Sequence, residues 1–371
     1  MAEARQLRGA LLVSGVVLPG TALAVETTGT LKGVVEDTSG TPLPGIKVVA
    51  TSEAMIGGAR TVVTDDQGRF RFPALPIGNY VVKAEHEGFR TAESHTYLGI
   101  GAEVVVDFKL QLPTAEETFV ITDVRPVVDT EKTESGATLD ATFLKNVPSG
   151  RTYQGVTQFV PGVTGGANPN VHGETLYSNS YLLDGVNITD PVTHTFSTNF
   201  NFDAIDAIEV ITGGYDAEYG QATGAIVNIV TKSGGNQLSV DSSAYYGDFN
   251  MVSGGQRDVG KFQDANFNLN VGGPVMKDKI WFFTSYELNR ISNQPAVRTN
   301  YNTGVGTAAP RVFFGHYLLG KLTFQVNPAH KVTAQVQSDP TTISNIYGDS
   351  YTYEDAKTLR EQGGANYSLA H

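Results

Sequence analysis

The run Ala265-Asn266-Phe267-Asn268-Leu269-Asn270-Val271 constrains this chain more than any other stretch. Successive side chains of an extended strand point to opposite faces, so Ala265, Phe267, Leu269 and Val271 share one side and three asparagines share the other. After one turn comes Ile280-Trp281-Phe282-Phe283-Thr284-Ser285-Tyr286-Glu287-Leu288, a second strand rich in aromatics. A soluble meander can carry such a hairpin, but it more often mixes charges into its wet face. A membrane strand alternates apolar-out with polar-in over about ten residues and gathers aromatics at the interfaces. The hairpin therefore reads as lipid outside and water inside.

The 371 residues are 40% hydrophobic and carry a formal charge of -12, which argues against a nucleic acid as partner. Cysteine is absent, which removes thiol catalysis, disulfides and thiolate metal sites together. The N-terminus has a basic start at Arg5 and Arg8, an apolar run from Gly9 to Pro19, and a small-x-small site at Ala22-Leu23-Ala24. That order of elements reads as a signal peptide over residues 1–24; a buried N-terminal strand is the alternative. No later segment approaches the roughly 18 apolar residues of a membrane-spanning helix. If the exported chain enters a membrane, it does so as strands.

Residues 25–112 read as a small β-sandwich, with strands expected at 31–36, 46–50, 60–64, 69–72, 80–84 and 104–112 between turn residues such as Pro44-Gly45 and Asp66-Gln67-Gly68. The last of these puts Val104, Val106, Phe108, Leu110 and Leu112 on one face. Residues 113–136 read as a linker. From 137 to 235 the texture is mixed α/β: a helix from Ala137 to Asn146, a second carrying Tyr153, Val156, Phe159 and Val160, then strands at 208–211 and 225–231. Residues 236–371 alternate, with strands expected at 238–249, 265–271, 280–289, 317–326 and 331–338 and the start of a sixth at 365–369. Their connections are alternately long and short, as in a barrel with short periplasmic turns and long outer loops. The polar faces, Asn266, Asn268 and Asn270 with Thr333, Gln335 and Gln337, are expected to line a wet lumen.

Several catalytic motifs fail on inspection. Gly255 to Lys261 and Gly315 to Lys321 have P-loop spacing, but Phe262 and Leu322 stand where a hydroxyl must hold magnesium. The seven histidines do not group at metal-ligand spacing, and no Gly-x-Ser-x-Gly elbow is present. Asp65 and Asp66 fit a hairpin turn better than a calcium loop. No catalytic residue, metal site or cofactor is expected.

In residues 28–112, Gly33-Val34-Val35, Pro42-Leu43-Pro44-Gly45, Thr64-Asp65-Asp66-Gln67-Gly68-Arg69-Phe70 and Leu75-Pro76-Ile77-Gly78-Asn79-Tyr80 resemble the carboxypeptidase regulatory-like domain, a non-catalytic sandwich of prealbumin-like or starch-binding-like fold. Further on, four linked motifs resemble the plug domain of TonB-dependent outer-membrane receptors. They contain Leu183, Asp184 and Gly185; Ile208, Glu209 and Val210; Tyr219 and Gly220; and Asn228, Ile229, Thr231 and Lys232. With the preceding sandwich, and Gly272-Gly273-Pro274 ahead of an aromatic strand, the chain looks most like the Oar-type members of that family. The resemblance implies a mainly β chain: sandwich, α/β plug, then the first antiparallel strands of a transmembrane β-barrel, in the outer membrane of a Gram-negative cell with the N-terminal domain facing the periplasm.

The same resemblance implies two partners besides outer-membrane lipid. One is the TonB energy-transducing complex, which in this family pairs with a short strand ahead of the plug; Glu117, Thr118, Phe119, Val120, Ile121 and Thr122 match it. Strand addition takes its affinity from the main chain and tolerates side-chain variation. A last sandwich strand or plain linker is the alternative for these six residues. The other partner is an external ligand, an oligosaccharide, peptide or protein, moved through a plugged barrel by uptake or export. A plugged transporter barrel has about 22 strands, far more than are visible, so the sequence is expected to be an N-terminal portion of a longer protein and too short to close a pore. The alternatives are a secreted carbohydrate-binding or adhesive module and an accessory part of a secreted peptidase.

The N-terminal pattern predicts cleavage after Ala24 on export, so mass analysis of the envelope form should find Val25 at its N-terminus. Retention of Met1 there would remove the signal-peptide reading.

Overall fold

The computed structural model describes residues 27–52, 54–55, 58–112, 135–147, 149–164, 168–215, 222–251, 261–294, 310–327, 330–345 and 359–370. The segment expected to meet TonB (117–122), the cleavage residues Ala22 and Ala24, and the plug-motif residues Tyr219 and Gly220 lie outside the described residues.

The first unit is a sandwich of two sheets. One contains β1 (Thr28–Asp37), β4 (Arg69–Pro76), β7 (Glu103–Val105) and β8 (Phe108–Leu110); the other is ordered β3-β2-β5-β6, with β2 (Lys47–Thr51), β3 (Arg60–Val63), β5 (Gly78–Glu85) and β6 (Ala92–Leu98). Alternate residues of β1 and β5 point between the sheets, where Leu31, Val35, Tyr80, Val82 and Ala84 meet Phe70, Phe72 and Phe108. The single strand expected over 104–112 is two. Val104, Val106, Phe108 and Leu110 do share the buried face, but Leu112 is exposed, and the ladder breaks at Asp107, whose carboxylate accepts the Val34 N–H at 2.9 Å in place of a backbone carbonyl. Strand β6 was not expected, because Ala92-Glu93-Ser94-His95-Thr96-Tyr97-Leu98 is an edge strand with polar residues on both faces.

The second unit is built on a five-stranded sheet ordered β13-β12-β15-β14-β9, of β9 (Ser135–Asp140), β12 (Ser180–Leu183), β13 (Val186–Asn187), β14 (Ile205–Gly213) and β15 (Ile226–Thr231). Helices α1 (Ala141–Asn146) and α2 (Tyr153–Thr157) and the short hairpin β10 (Val163–Thr164) with β11 (Asn170–Val171) pack beside it. The helix expected from Ala137 begins four residues later. Asp140 caps it by accepting the Phe143 N–H at 2.7 Å, and the residues before the cap pair with β14 at the sheet edge. Tyr153, Val156 and Val160 are buried as the spacing predicts, whereas Phe159 is exposed and rests edge-on against Phe143.

The third unit is one antiparallel sheet. Its strands β16 (Ser239–Asp248), β17 (Lys261–Met276), β18 (Ile280–Gln294), β19 (Arg311–Asn327) and β20 (His330–Ser338) pair in chain order; β21 (Thr341–Ser344) pairs with β19, β22 (Leu359–Gln362) with β21, and β23 (Ala365–Ala370) with β20. Strands β17 to β19 are 15 to 17 residues long, well beyond the alternating stretches read from sequence. At about 3.4 Å per residue they outrun an apolar band about 25 Å tall even when tilted, so their outer parts stand in water and need no alternation. The burial differs from that of a soluble sheet: Asn268, Asn270, Ser285, Gln335 and Gln337 are buried beside Trp281, Phe283 and Leu319, while Val240, Phe267, Leu318, Leu322, Phe324 and Leu369 are exposed. Of the polar faces expected to line a wet lumen, Asn270 and Gln337 instead bond to the second unit and Asn268 and Gln335 are buried, while Asn266 and Thr333 are half-buried.

The two-sheet core is contained within the first unit. The excised 25–112 segment is therefore expected to fold as a soluble β protein with a single cooperative melt. A methyl on Gly33 would fall 1.9 Å from the Val106 carbonyl oxygen, so Gly33→Ala should destabilise that segment by about 1–3 kcal/mol, the usual cost of overpacking. An unchanged denaturation midpoint would show that the close approach is not there.

Candidate functional site

The contact between the second unit and the strand wall is mostly polar, with one small apolar cluster of Ala204, Phe283 and Leu319, and is organised around a few charged groups. Asp184 and Gly185 form the two-residue turn between β12 and β13, with φ of 48° and 80°, a pair of left-handed residues that suits the twist of a tight hairpin. The turn holds the Asp184 carboxylate at the end of β15, where it accepts the Thr231 N–H at 2.9 Å and the Thr231 hydroxyl at 2.6 Å. Lys321 reaches in from β19: its ammonium lies 2.9 Å from Asp184 Oδ2 and donates to the Thr231 carbonyl at 3.1 Å. The Lys321 side chain is only 5% exposed, and the ion pair is its compensation for leaving water.

A second group surrounds Asp203, in the one-turn helix at 202–204 ahead of β14. Its carboxylate pairs with Arg151 at 2.8 Å and accepts the Ser243 hydroxyl of β16 at 2.6 Å; its carbonyl accepts from Lys232 at 2.7 Å. Arg151 lies over the Tyr245 ring of β16, 3.7 Å from its centroid, and 5.5 Å from that of Phe202, so one cation is held between an aromatic of each unit. Burial lowers the Lys232 ammonium and raises the Asp206 carboxyl from their ordinary values. Farther along the seam, Asn201 donates to Asn270 Oδ1 at 3.2 Å and Ser285 Oγ at 2.9 Å. Gln337 donates to Thr198 Oγ1 and to the Asn199 carbonyl, and Asp339 accepts the Asn199 N–H at 2.9 Å.

The sequence motifs converge on one sheet. Leu183 pairs with Ile229, Ile229 with Ile208, Glu209 with Asn228 and Val210 with Val227, so three separate motifs lie on adjacent strands β12, β15 and β14. Asp184, Gly185, Thr231 and Lys232 gather at the edge that faces the wall. Leu183, Ile208, Val210 and Ile229 belong to the apolar core of the second unit. Sequence reasoning missed Arg151, Asp203, Lys321 and Asp339. The signal for Lys321 was present: a lone cation between Leu319 and Thr323 on the inward face of an amphipathic strand has no water to meet. The P-loop spacing at Gly315 to Lys321 is coincidental, since those residues form continuous strand within β19. Among the described residues no group of three or more metal-ligating side chains occurs, and no helix is long and apolar enough to cross a membrane.

Residues 30–111 match the family model of the carboxypeptidase regulatory-like domain, and residues 129–226 match that of the TonB-dependent receptor plug domain. The TonB-dependent transporter Oar of Myxococcus xanthus is 28% identical over 380 aligned residues, which cover 91% of this chain and 36% of that protein. The chain thus spans about a third of the length of the curated relative it matches. Among solved structures, the outer membrane transporter YddB from Escherichia coli aligns with a TM-score of 0.52 at 13% identity, over 63% of this chain and 36% of that one, a likeness of fold. A sheet wall with a small α/β domain seated on its inward face, two domain matches in the corresponding order and a relative aligned along nearly the whole chain agree: the chain carries a carboxypeptidase regulatory-like domain and a TonB-dependent receptor plug domain, and along its length it is similar to a TonB-dependent transporter.

Proposed function

We propose that the chain serves energy-coupled passage of an external ligand across the outer membrane, as part of a plugged barrel. The ligand is met on the outer side by plug and loops, the regulatory-like sandwich faces the periplasm, and TonB pairs with Glu117 to Thr122. Domain boundaries at about residues 25, 113, 137 and 236 go with this reading: signal peptide, sandwich, linker with the TonB segment, plug, and barrel strands. No bond is made or broken by the protein, and the work is movement of the plug.

One observation supports this above the others. The second unit is held to the wall mainly by hydrogen bonds and ion pairs, through Asp184, Arg151, Asn201, Asp203 and Thr198, beside one small apolar contact of Ala204 with Phe283 and Leu319, and has its own apolar core elsewhere. Each hydrogen bond broken at such a seam is exchanged for one to water, at a net cost of only about 0.5–1.5 kcal/mol. A seam of apolar side chains would lose its burial outright. A polar seam suits a stopper that seals at rest and shifts under load.

TonB binding at 117–122 rests on the backbone, so proline at Phe119 or Val120, which removes a donor and fixes φ, is expected to abolish pairing, while alanine at the same positions should weaken it far less. Pull-down with a periplasmic TonB domain checks this. Capture that is unchanged by both prolines would make the segment plain linker.

A further inference from the structure

Ile77 and Ile100 are 4% and 2% exposed, yet neither belongs to the core of the sandwich that carries them. Ile77 lies in the turn between β4 and β5 and Ile100 in the turn after β6, and together with Ala207 of β14 and Val230 of β15 they form a separate apolar cluster. Ala207 and Val230 are paired neighbours, with Ile208 and Ile229 beside them turned to the other face, into the plug's own core. The sandwich turns thus cover the face of the plug sheet opposite that core.

Two further contacts extend the seat to the sheet edge. A methyl on Gly99 would come within 4.0 Å of the Thr138 hydroxyl on β9. Tyr97 of β6 stays part-exposed, but desolvation, with the plug carboxylates of Asp140 and Asp206 nearby, pushes its phenol up to about 12. Covalent continuity alone does not require this contact, because 24 residues separate the end of β8 from the start of β9. The tether does make docking intramolecular, so a patch of four apolar side chains suffices where it would be too small for two separate proteins.

We propose that the regulatory-like sandwich is a docked cap on the plug, seated over β9, β14 and β15 by Ile77 and Ile100, and that this seat must open before the edge strand β9 can leave the plug sheet. Among the described residues β9 lies at one edge of the plug sheet and pairs only with β14, so its release breaks a single ladder. The cap lies across that release. The consequence for transport rests on the TonB reading above; the docking and the protection of β9 do not.

The chain has no cysteine, which makes the test direct. Ile100→Cys with Val230→Cys, in the full chain in isolated envelopes, should be bridged by a short bifunctional thiol reagent. Val63→Cys with Val230→Cys should not, because Val63 is exposed on β3 and is absent from the cluster. Failure of the first pair to bridge, or equal bridging of both, would overturn the docking. In a second arm, Ile100→Asp and Ile77→Asp should each speed amide exchange across Ser135–Asp140 about tenfold or more, as loss of a buried isoleucine contact implies. The amides of β1 should keep their protection, since neither isoleucine is in the sandwich core. Unaltered exchange in β9 with either variant would refute the cap, and if β1 protection is also lost, the cysteine bridge decides. Neither arm uses TonB, so failure of the TonB reading leaves both results standing.

Discussion

A strand in contact with lipid must turn apolar side chains outward, and the period of two then leaves the alternate side chains, polar ones and a few apolar ones such as Phe283 and Leu319, to face whatever lies inside. In β17 the polar ones include Asn268 and Asn270, in β18 Ser285, in β19 Lys321 and Thr323, in β20 Gln335 and Gln337, all buried. Between neighbouring strands of the wall the backbone groups pair with one another, which is the condition for lying in a membrane at all. The side chains facing inward are only partly satisfied by the sheet, as where Asn266 donates to Glu287 and Asn268 to Ser243. Whatever lies against this wall has to supply donors and acceptors at matching heights.

The plug meets that demand with a surface unlike its interior. Its interior is an ordinary apolar core of Tyr181, Leu183, Ile208, Val210, Val227 and Ile229 under two short helices. Toward the wall it presents turn and loop residues whose side chains are polar: Asp184 in a left-handed turn, the Thr198 to Asp203 stretch, and Arg151, itself at φ 53°. The backbone strain at such positions is tolerated where surroundings over-determine it. Here those surroundings are Thr231 and Lys321 for Asp184, and Asp203, Phe202 and Tyr245 for Arg151. A buried ion pair such as Asp184 with Lys321 adds little net stability over an apolar substitute, but it fixes which turn faces which strand. Position is what a seal needs.

The wall itself changes character along its height. Strands β20 and β21 are interrupted at Asp339 and Pro340, and β22 and β23 at Gly363 and Gly364, so two neighbouring strands break at one level. Gly363 has φ of 107°, and a methyl there would fall 2.2 Å from the Asp339 carbonyl oxygen, so the break depends on glycine. The freed Asp339 carboxylate turns inward to the Asn199 N–H of the plug. Local disorder of the ladder thereby yields a contact that an unbroken strand would not make.

How much of this was legible in the sequence follows from which interactions are local. Alternation in 265–271 and 280–288, the turn residues between the strands of the first unit and the apolar runs of β14 and β15 are local patterns, and they marked a sandwich, a mixed domain and membrane strands from residue types alone; the Asp140 cap, equally local, escaped, and the helix start was read four residues early. Motif resemblance carried the plug's identity, and the structure then put Leu183, Ile208 and Ile229 of three motifs on one sheet. The edge strand β6 and the outer ends of β17 to β19 escaped, since nothing apolar on one face marks a strand with water on both sides. The split of residues 104–112 at Asp107 escaped because it depends on Val34, which is 73 residues away. Lys321 with Asp184, Arg151 with Tyr245, and Ile100 with Val230 were decided only by tertiary structure. Each joins residues of separate units, and no periodicity in one strand specifies which distant turn will face it.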